Sequence, residues 1–183
     1  MFSQKILKII LVFSIIGFSL NTNLVPQGDF YFNPARDWHD YAKVQHEQQC
    51  ITEALYYEAR GEGEIGMRYV LSVIHNRKNS VGFPNSYCKV IHQRRQFSYR
   101  NGVSPGIHIE IKPISPSDKI AYGLASGLAE SAAWGQLNPS IRSIHGATYY
   151  HTTNVKPYWA KTMQKINTIG NHVFYRKKKD DNL

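Results

Sequence analysis

Residues 47–79 read EQQCITEALYYEARGEGEIGMRYVLSVIHNRKN, and they predict two helices separated by a short break that contains glycine. The first helix is predicted from Glu47 to Arg60, where Ile51, Ala54, Leu55 and Tyr57 share a stripe at helical spacing. Gly61 follows at a position where helices commonly end in a left-handed residue. The second helix carries its own apolar stripe, formed by Met67, Val70, Leu71 and Ile74. This stretch therefore favours a domain built mainly from helices.

Glu58 falls in the last turn of the first predicted helix, which is an unfavourable place for a carboxylate. The carbonyl end of a helix carries negative partial charge, and burial would add to its effect, so both are expected to raise the pKa of Glu58. Glu64 and Glu62 lie near the start of the next helix, where acids are favourable. Glu64 is thus explained by structure alone and Glu62 in part, whereas Glu58 is the candidate for a glutamic acid that keeps its proton for catalysis.

The segments after residue 80 predict two further helices separated by irregular chain. A short helix is expected over residues 86–93, an extended segment over residues 96–99, and a loop over residues 103–114. The clearest helix begins at Ser115, with Pro116 in its first position and Asp118 completing a capping box, and it ends at Gly135. Its buried face is predicted to contain Ile120, Leu124, Leu128 and Ala132.

The C-terminal third predicts a small sheet. GATYYH (146–151) and INTIGNHVFYR (166–176) are rich in β-branched and aromatic residues, and Gly170-Asn171 is typical of a hairpin turn. The predicted fold class is therefore α+β, predominantly helical with a small β-sheet.

The N-terminus differs in composition from the rest of the chain. Lys5 and Lys8 precede an apolar run from Ile9 to Leu20, which is shorter than a membrane-spanning helix requires. Residues 1–25 are therefore predicted to be a signal peptide, with an uncleaved signal anchor as the alternative. Residues 26–45 are predicted to be a linker, 46–176 the folded domain, and 177–183 a disordered basic tail.

The formal net charge of +9, with only 13 acids, favours anionic partners such as nucleic acid, phospholipid or an acidic polysaccharide, although it can also serve solubility alone. HQRRQFSYR (92–100) interleaves basic and aromatic residues, a pattern compatible with single-stranded nucleic acid. The predicted export argues against a nucleic-acid partner. The same side chains can stack on sugars and hold carboxylates, or simply form a surface.

The remaining residue patterns favour neither a metal site nor a nucleophilic serine or cysteine. His145, His151 and His172 could form a zinc trio, but their spacing matches no metal motif, and no metal or cofactor is predicted. No Gly-x-Ser-x-Gly sequence occurs. In an exported protein, Cys50 and Cys88 are expected to form a disulfide, with two buried thiols as the alternative.

Carboxylate chemistry therefore remains as the main catalytic hypothesis. A glycosidase usually needs two carboxylates, and Glu62 is the nearest candidate partner for Glu58. No other acid lies in a comparable motif. A mechanism that needs one carboxylate fits this scarcity better.

The sequence resembles the SleB-type cell-wall hydrolases, which include spore cortex-lytic enzymes. The resemblance covers about residues 48–176, and it rests on motifs in the family's order: YEARGE (57–62), Asn76-Arg77, FPN (83–85), QFS (96–98), ATYYH (147–151), Trp159 and IGNHVFY (169–175). One departure is Gly63, where typical members have proline. The resemblance implies a fold similar to lysozyme-like lytic transglycosylases, with one catalytic glutamate at a helix end.

The resemblance also implies roles for individual residues. Glu58 would be the catalytic acid and then the base, and Glu62 would tune it by like-charge repulsion or lie near the substrate. Gln96 and Ser98 would orient the glycan or Glu58, while Tyr149, Tyr150 and His151 would line the groove. Strand neighbours face opposite ways, so burial in the sheet is an equally good interpretation for one of the two tyrosines. The implied partner is the glycan strand of peptidoglycan, bound by a monomer that touches membrane only through an uncleaved N-terminal segment.

Overall fold

A computed structural model describes residues 34–138 and 144–178 of the 183-residue chain, with side chains from residue 38 onward. Its helices are α1 (Pro34–Ala59), α2 (Gly63–Lys78), α3 (Tyr87–Ile91) and α4 (Pro116–Ala133). Short 3-10 helices occupy Arg60–Glu62, Ser98–Arg100 and Tyr158–Thr162. The strands are β1 (Tyr149–Thr152), β2 (Met163–Ile169) and β3 (His172–Lys177). The predicted α+β class, mainly helical with a small sheet, is confirmed.

Helix α1 begins well before the predicted start at Glu47. It runs from Pro34, so residues 34–45 are helical where a linker was expected. Trp38 is 64% exposed and Tyr41 is also exposed, with their rings in edge contact at 6.1 Å. From residue 38 to residue 45 no side chain is fully buried, so this part of the helix has no apolar stripe by which the sequence could indicate it.

The two chain ends named in the sequence analysis lie outside the described residues. This applies to the predicted signal segment 1–25 and to residues 179–183 of the predicted tail. Within residues 34–138 and 144–178, no helix is long and apolar enough to cross a membrane.

The break between α1 and α2 differs in detail from the prediction. Ala59 ends α1, Arg60–Glu62 forms one 3-10 turn, and the left-handed residue is Gly63 (φ 65°) rather than Gly61. The chain keeps a helical turn through Gly61 and changes direction two residues later. Glycine at 63 suits this conformation because side chains rarely adopt a positive φ.

The main core lies between α1, α2, α3 and α4. The predicted stripe of α2 is confirmed, since Met67, Val70, Leu71 and Ile74 are all fully buried. In the predicted face of α4, Ala132 is confirmed as buried, whereas the other buried residues, Ala121, Ala125 and Ala129, each lie one position after the predicted Ile120, Leu124 and Leu128. Ile120 is instead 67% exposed, and Leu124 and Leu128 pack at the edge of the core. A row of alanines lets α4 lie close to its neighbours.

Helix termini and the disulfide agree with the sequence. Ser115 and Asp118 form the predicted capping box of α4, and Gly135 (φ 72°) follows its end. Cys50 of α1 is bonded to Cys88 of α3, with a Cα–Cα distance of 5.3 Å. The segment 96–99 is not a strand, because only Phe97 is extended and a 3-10 turn begins at Ser98.

The sheet is antiparallel with strand order β1-β3-β2. The hairpin between β2 and β3 turns at Gly170-Asn171, as predicted, with Gly170 at φ 52°. Tyr150 pairs with Phe174 and Tyr149 with Tyr175. Phe174 is fully buried in a second small core with Val73, Ile144 and Ala147, so the Tyr150 side of β1 faces the helices.

Candidate active site

Glu58 lies in the last turn of α1 and is half-buried. Its Oε2 accepts a hydrogen bond of 2.8 Å from the hydroxyl of Tyr150. Burial raises the pKa of Glu58, and this effect exceeds the opposing effects of the Tyr150 hydrogen bond and the charges of His172 and Arg77. The raised pKa expected from burial in the sequence analysis is therefore supported by the geometry, and Glu58 is suited to hold a proton.

Tyr150 is held in place by the rings around it. Its ring meets that of His172 edge-on at 5.0 Å and lies 5.7 Å from that of Phe174. Burial, followed by the charge of Glu58, raises the pKa of Tyr150 well above its usual value. The hydroxyl therefore keeps its proton and acts as a hydrogen-bond donor to Glu58.

Arg77 supplies positive charge near this pair. It is only 4% exposed, and its Nε donates a 2.7 Å hydrogen bond to the carbonyl oxygen of Thr148. Its guanidinium lies 5.7 Å from the ring centre of Phe83 and 5.8 Å from that of Tyr149. In the described part of the chain, its buried Nη1 has no hydrogen-bond partner. The positive charge of Arg77 thus acts on Glu58 and favours its ionised form.

Glu62 links the break after α1 to the β2–β3 hairpin. Its Oε2 lies 3.0 Å from Nδ1 of His172, and its Oε1 accepts a 3.1 Å hydrogen bond from the backbone N–H of Asn171. A Cβ added at Gly66 would lie 2.4 Å from Cβ of Glu62, and one added at Gly170 would lie 2.9 Å from its carboxyl carbon. Two glycines therefore make room for this side chain.

This arrangement differs from the substrate contact or like-charge partner predicted for Glu62. Both of its carboxylate oxygens already accept hydrogen bonds from the protein, and the side chain is 11% exposed. Glu62 instead orients His172, whose ring packs against Tyr150. Its geometry is that of a positioning residue.

Tyr149 and His151 lie on the opposite side of β1 from Tyr150. Tyr149 packs against Phe83 and Trp159. His151 donates from Nδ1 to the carbonyl of Thr152 (2.8 Å), so its Nε2 is the acceptor for the Tyr175 hydroxyl at 3.0 Å. Of the three residues predicted to line the groove, the described contacts bring only Tyr150 to Glu58.

Gln96 and Ser98 are exposed. They line a cavity of about 880 Å³ whose lining residues do not include Glu58. The described hydrogen bonds connect neither residue to Glu58. Phe97, which lies between them, is buried. Tyr99, which follows Ser98, stacks on Tyr57 with ring centres 4.9 Å apart. Burial and the charges of Glu53 and Glu58 are among the causes that raise the pKa of Tyr99, which places this ring near the candidate acid.

Comparison with known proteins identifies the family. The family model described as Cell Wall Hydrolase matches residues 61–175. The chain belongs to the cell wall hydrolase family. The matched range begins at Gly61, three residues after Glu58, so the family match does not include Glu58.

Solved structures and curated relatives of this cell wall hydrolase agree with the SleB-type resemblance. The catalytic domain of the Bacillus cereus SleB protein is 27% identical, with a TM-score of 0.54, covering 72% of this chain and 91% of that one. The catalytic domain of the germination-specific lytic transglycosylase SleB from Bacillus anthracis gives the same identity and TM-score, with 95% of its chain covered. The spore cortex-lytic enzyme of Oceanobacillus iheyensis is 32% identical over 131 residues, which is 71% of this chain and 41% of that protein. The chain thus spans less than half the length of the curated relatives it matches.

A second buried acid on α1, Glu53, was not predicted from the sequence. Glu53 is 1% exposed and forms an ion pair with Arg100, and its Oε2 accepts a 2.9 Å hydrogen bond from the backbone N–H of Ile109. These contacts attach the loop after Arg100 to α1. The helical spacing could have indicated that Glu53 is buried, since position 53 lies beside Cys50 and Ala54 on the buried side of α1.

Two residues of the histidine trio named in the sequence analysis are engaged with protein groups. His151 and His172 of the disfavoured zinc trio contact Tyr175 and Glu62. Nδ1 of His46 and Nε2 of His108 lie 3.1 Å apart beside Cys50. Cys50 cannot supply a thiolate to a metal there, because its sulfur is in the disulfide.

Proposed function

We propose that this protein cleaves the glycosidic bond between MurNAc and GlcNAc in peptidoglycan as a lytic transglycosylase, with Glu58 as acid and then base. The observation that carries the proposal is the half-buried carboxyl of Glu58 with its raised pKa, hydrogen-bonded by Tyr150 at 2.8 Å. Membership of the cell wall hydrolase family supports the substrate class. The Bacillus anthracis relative, named a lytic transglycosylase, supports the reaction type.

In the first step, Glu58 donates its proton to the glycosidic oxygen. Tyr150 occupies Oε2, so Oε1 is the oxygen placed to carry the transferable proton. The bond between C1 of MurNAc and the glycosidic oxygen then breaks, and GlcNAc leaves as an alcohol. Positive charge develops on C1 and the ring oxygen of MurNAc, next to the newly formed carboxylate.

In the second step, the carboxylate of Glu58 takes the proton from the C6 hydroxyl of MurNAc while that oxygen attacks C1. The new C6–O–C1 bond closes a 1,6-anhydro ring, and Glu58 returns to its protonated form. No water and no second carboxylate enters the reaction. This agrees with Glu62 being held by His172 and Asn171 rather than facing a substrate.

Tyr150 and Arg77 act on the ionised state of Glu58 between the two steps. The hydroxyl of Tyr150 donates to the carboxylate, and the buried charge of Arg77 attracts it. Both interactions are stronger with the carboxylate than with the neutral acid. They therefore keep the carboxylate accessible within a site whose burial favours the protonated form.

Product analysis tests the reaction type. Purified sacculi are digested with the full chain, and the released muropeptides are identified by mass spectrometry. We expect 1,6-anhydro-MurNAc ends, each lighter by one water than a reducing end. Reducing ends would instead identify a hydrolytic muramidase or glucosaminidase that uses Glu58 with a water molecule. Binding to sacculi without any cleavage would identify a non-catalytic wall-binding module.

The site of action follows from the substrate. Peptidoglycan lies outside the cytoplasmic membrane, so we propose an exported protein of the periplasm or cell envelope that acts as a monomer on glycan strands. The predicted N-terminal segment would be its only contact with membrane, if that segment is not cleaved. Nucleic acid is not a partner in this proposal, and no cofactor enters it.

A further inference from the structure

The basic segment HQRRQFSYR lines the cavity of about 880 Å³ described above. Arg94 and Arg95 are exposed on its wall, and neither forms an ion pair within the described residues. Among the lining residues that the structure describes, none carries a carboxylate. A cavity of this volume with unbalanced positive charge suits an anionic ligand of a few residues.

The charge of this cavity comes from Arg94 and Arg95 rather than from its other basic residues. Arg100 also lines it, but its guanidinium is paired with buried Glu53. Burial, followed by the charges of Arg100 and two neighbouring histidines, lowers the pKa of His92 to about 4, so that this imidazole is neutral near pH 7. Two guanidinium groups with no acidic partner thus remain for a ligand.

Polar groups that suit a peptide lie on the same wall. The side chains of Gln96 and Ser98 are exposed to the cavity. The side-chain oxygen of Gln93 is buried and lacks a hydrogen-bond partner in the part of the chain that the structure describes. That oxygen is not exposed to the cavity, so Gln96 and Ser98 are the polar side chains available to a peptide there.

Two adjacent residues, Ser98 and Tyr99, connect the cavity to the end of α1 that carries Glu58. Ser98 lines the cavity, while the next residue, Tyr99, stacks on the ring of Tyr57, which directly precedes Glu58 in α1. In peptidoglycan, the stem peptide is attached to MurNAc, the sugar whose C1 bond Glu58 would break. Residues 98 and 99 thus connect the cavity to the surroundings of Glu58, and the stem peptide is the anionic part of the substrate that would extend from one to the other.

We propose that this cavity binds the carboxylates of the stem peptide on the MurNAc at the cleaved bond, with Arg94 and Arg95 as specificity residues for peptide-bearing glycan. The inference rests on the proposed function for its biological substrate. Bidentate pairing with guanidinium groups recognises carboxylate geometry and is stronger than neutral hydrogen bonding. Glycan strands without peptides would gain nothing from this cavity.

A binding experiment tests the cavity independently of catalysis. The full chain carrying Glu58→Gln is titrated with a fluorescent synthetic stem tetrapeptide that has free carboxylates, and with the same peptide fully amidated. We expect Arg94→Gln with Arg95→Gln to weaken binding of the acid peptide by about tenfold or more, which is about 1.4 kcal/mol per factor of ten. The amidated peptide should bind the parent chain similarly weakly. The matched control, Lys119→Gln with Lys165→Gln, removes two exposed positive charges outside the cavity and should change binding less than about twofold.

Three results of this titration would overturn the inference. The first is equal binding of the acid and amidated peptides, and the second is absence of binding by the parent chain. The third is competition by inorganic phosphate at the concentration of the peptide, which would indicate a general anion site. Thermal melting of each variant verifies that the fold is retained.

Kinetics on two substrates then separate this inference from the proposed function. With peptide-bearing glycan, the arginine variant should have a raised KM and an unchanged kcat, and with amidase-stripped glycan it should behave as the parent does. Equal loss on both substrates would contradict a peptide site. If the unmodified protein cleaves neither substrate, the proposed function fails, and the titration still decides whether the cavity binds stem-peptide carboxylates.

Discussion

The hydroxyl of Tyr150 donates a 2.8 Å hydrogen bond to Oε2 of Glu58, and it joins the end of α1 to the first strand of the sheet. The two residues are 92 positions apart in the sequence. Because the hydroxyl donates to the carboxylate, it opposes the effect of burial on the pKa of Glu58. The hydrogen bond therefore moderates the rise in the pKa of Glu58 without reversing it.

Tyr150→Phe should move the alkaline limb of the pH–rate profile to higher pH. Removing the hydroxyl removes a hydrogen bond that lowers the pKa of Glu58, so the acid holds its proton to a higher pH. The profile is measured on purified sacculi. Tyr149→Phe is the matched control, because Tyr149 lies on the other side of β1, and it should leave the limb in place. A limb that stays fixed in Tyr150→Phe would contradict the assignment.

Glu58→Gln should raise the melting temperature near pH 7. The folded-state pKa of Glu58 is raised, so its carboxyl destabilises the fold as pH rises from the ordinary pKa of glutamate through the folded value. The neutral amide lacks this effect. The gain should be absent below the ordinary pKa, where both residues are neutral. Calorimetry across pH measures it, with about 2–4 °C expected for each kcal/mol. A lower melting temperature of Glu58→Gln at pH 7 would contradict the prediction.

Glu62→Ala should lower the free energy of unfolding by about 1–3 kcal/mol. The substitution leaves Nδ1 of His172 and the backbone N–H of Asn171 without their acceptor. Urea denaturation measures the effect. Glu64→Ala is the control, since Glu64 forms only an exposed pair with Arg68 and should cost less than about 1 kcal/mol. Equal losses of stability in Glu62→Ala and Glu64→Ala would contradict the positioning role of Glu62.

Reduction of the Cys50–Cys88 disulfide should lower the free energy of unfolding by about 4 kcal/mol, because the bond closes a loop with a sequence separation of 38 residues. Denaturation with and without reductant measures this difference. The double variant Cys50→Ala with Cys88→Ala should show a similar loss and no response to reductant. The prediction would be contradicted if reductant left the free energy of unfolding of the parent chain unchanged.

Features that depend on local sequence were predictable. The stripe of α2, the capping box at Ser115 and the turn at Gly170-Asn171 each follow from neighbouring residues. Glu58 was predicted as the candidate acid because a carboxylate in the last turn of a helix has no local explanation, and the structure shows it half-buried and hydrogen-bonded to Tyr150. The disulfide followed from the predicted compartment together with the presence of only two cysteines.

Features that depend on tertiary contacts were not predictable. The buried face of α4 consists of alanines, because close approach of helices outweighs the size of Ile120. The parts played by His172 and Arg77 beside Glu58 arise from strand register and helix packing, which bring distant segments together. Alternation along β1 indicated that Tyr149 and Tyr150 face opposite ways, but only the fold determines which of them meets Glu58.

The most direct test of the central claim is the rate at which Glu58→Gln releases muropeptides from purified sacculi, compared with the unmodified chain and with Glu64→Gln. If Glu58 is the proton donor, its variant should lose about 10²–10⁴-fold in rate while it keeps its fold and Glu64→Gln keeps its rate. Release by Glu58→Gln at the rate of the unmodified chain would contradict the account.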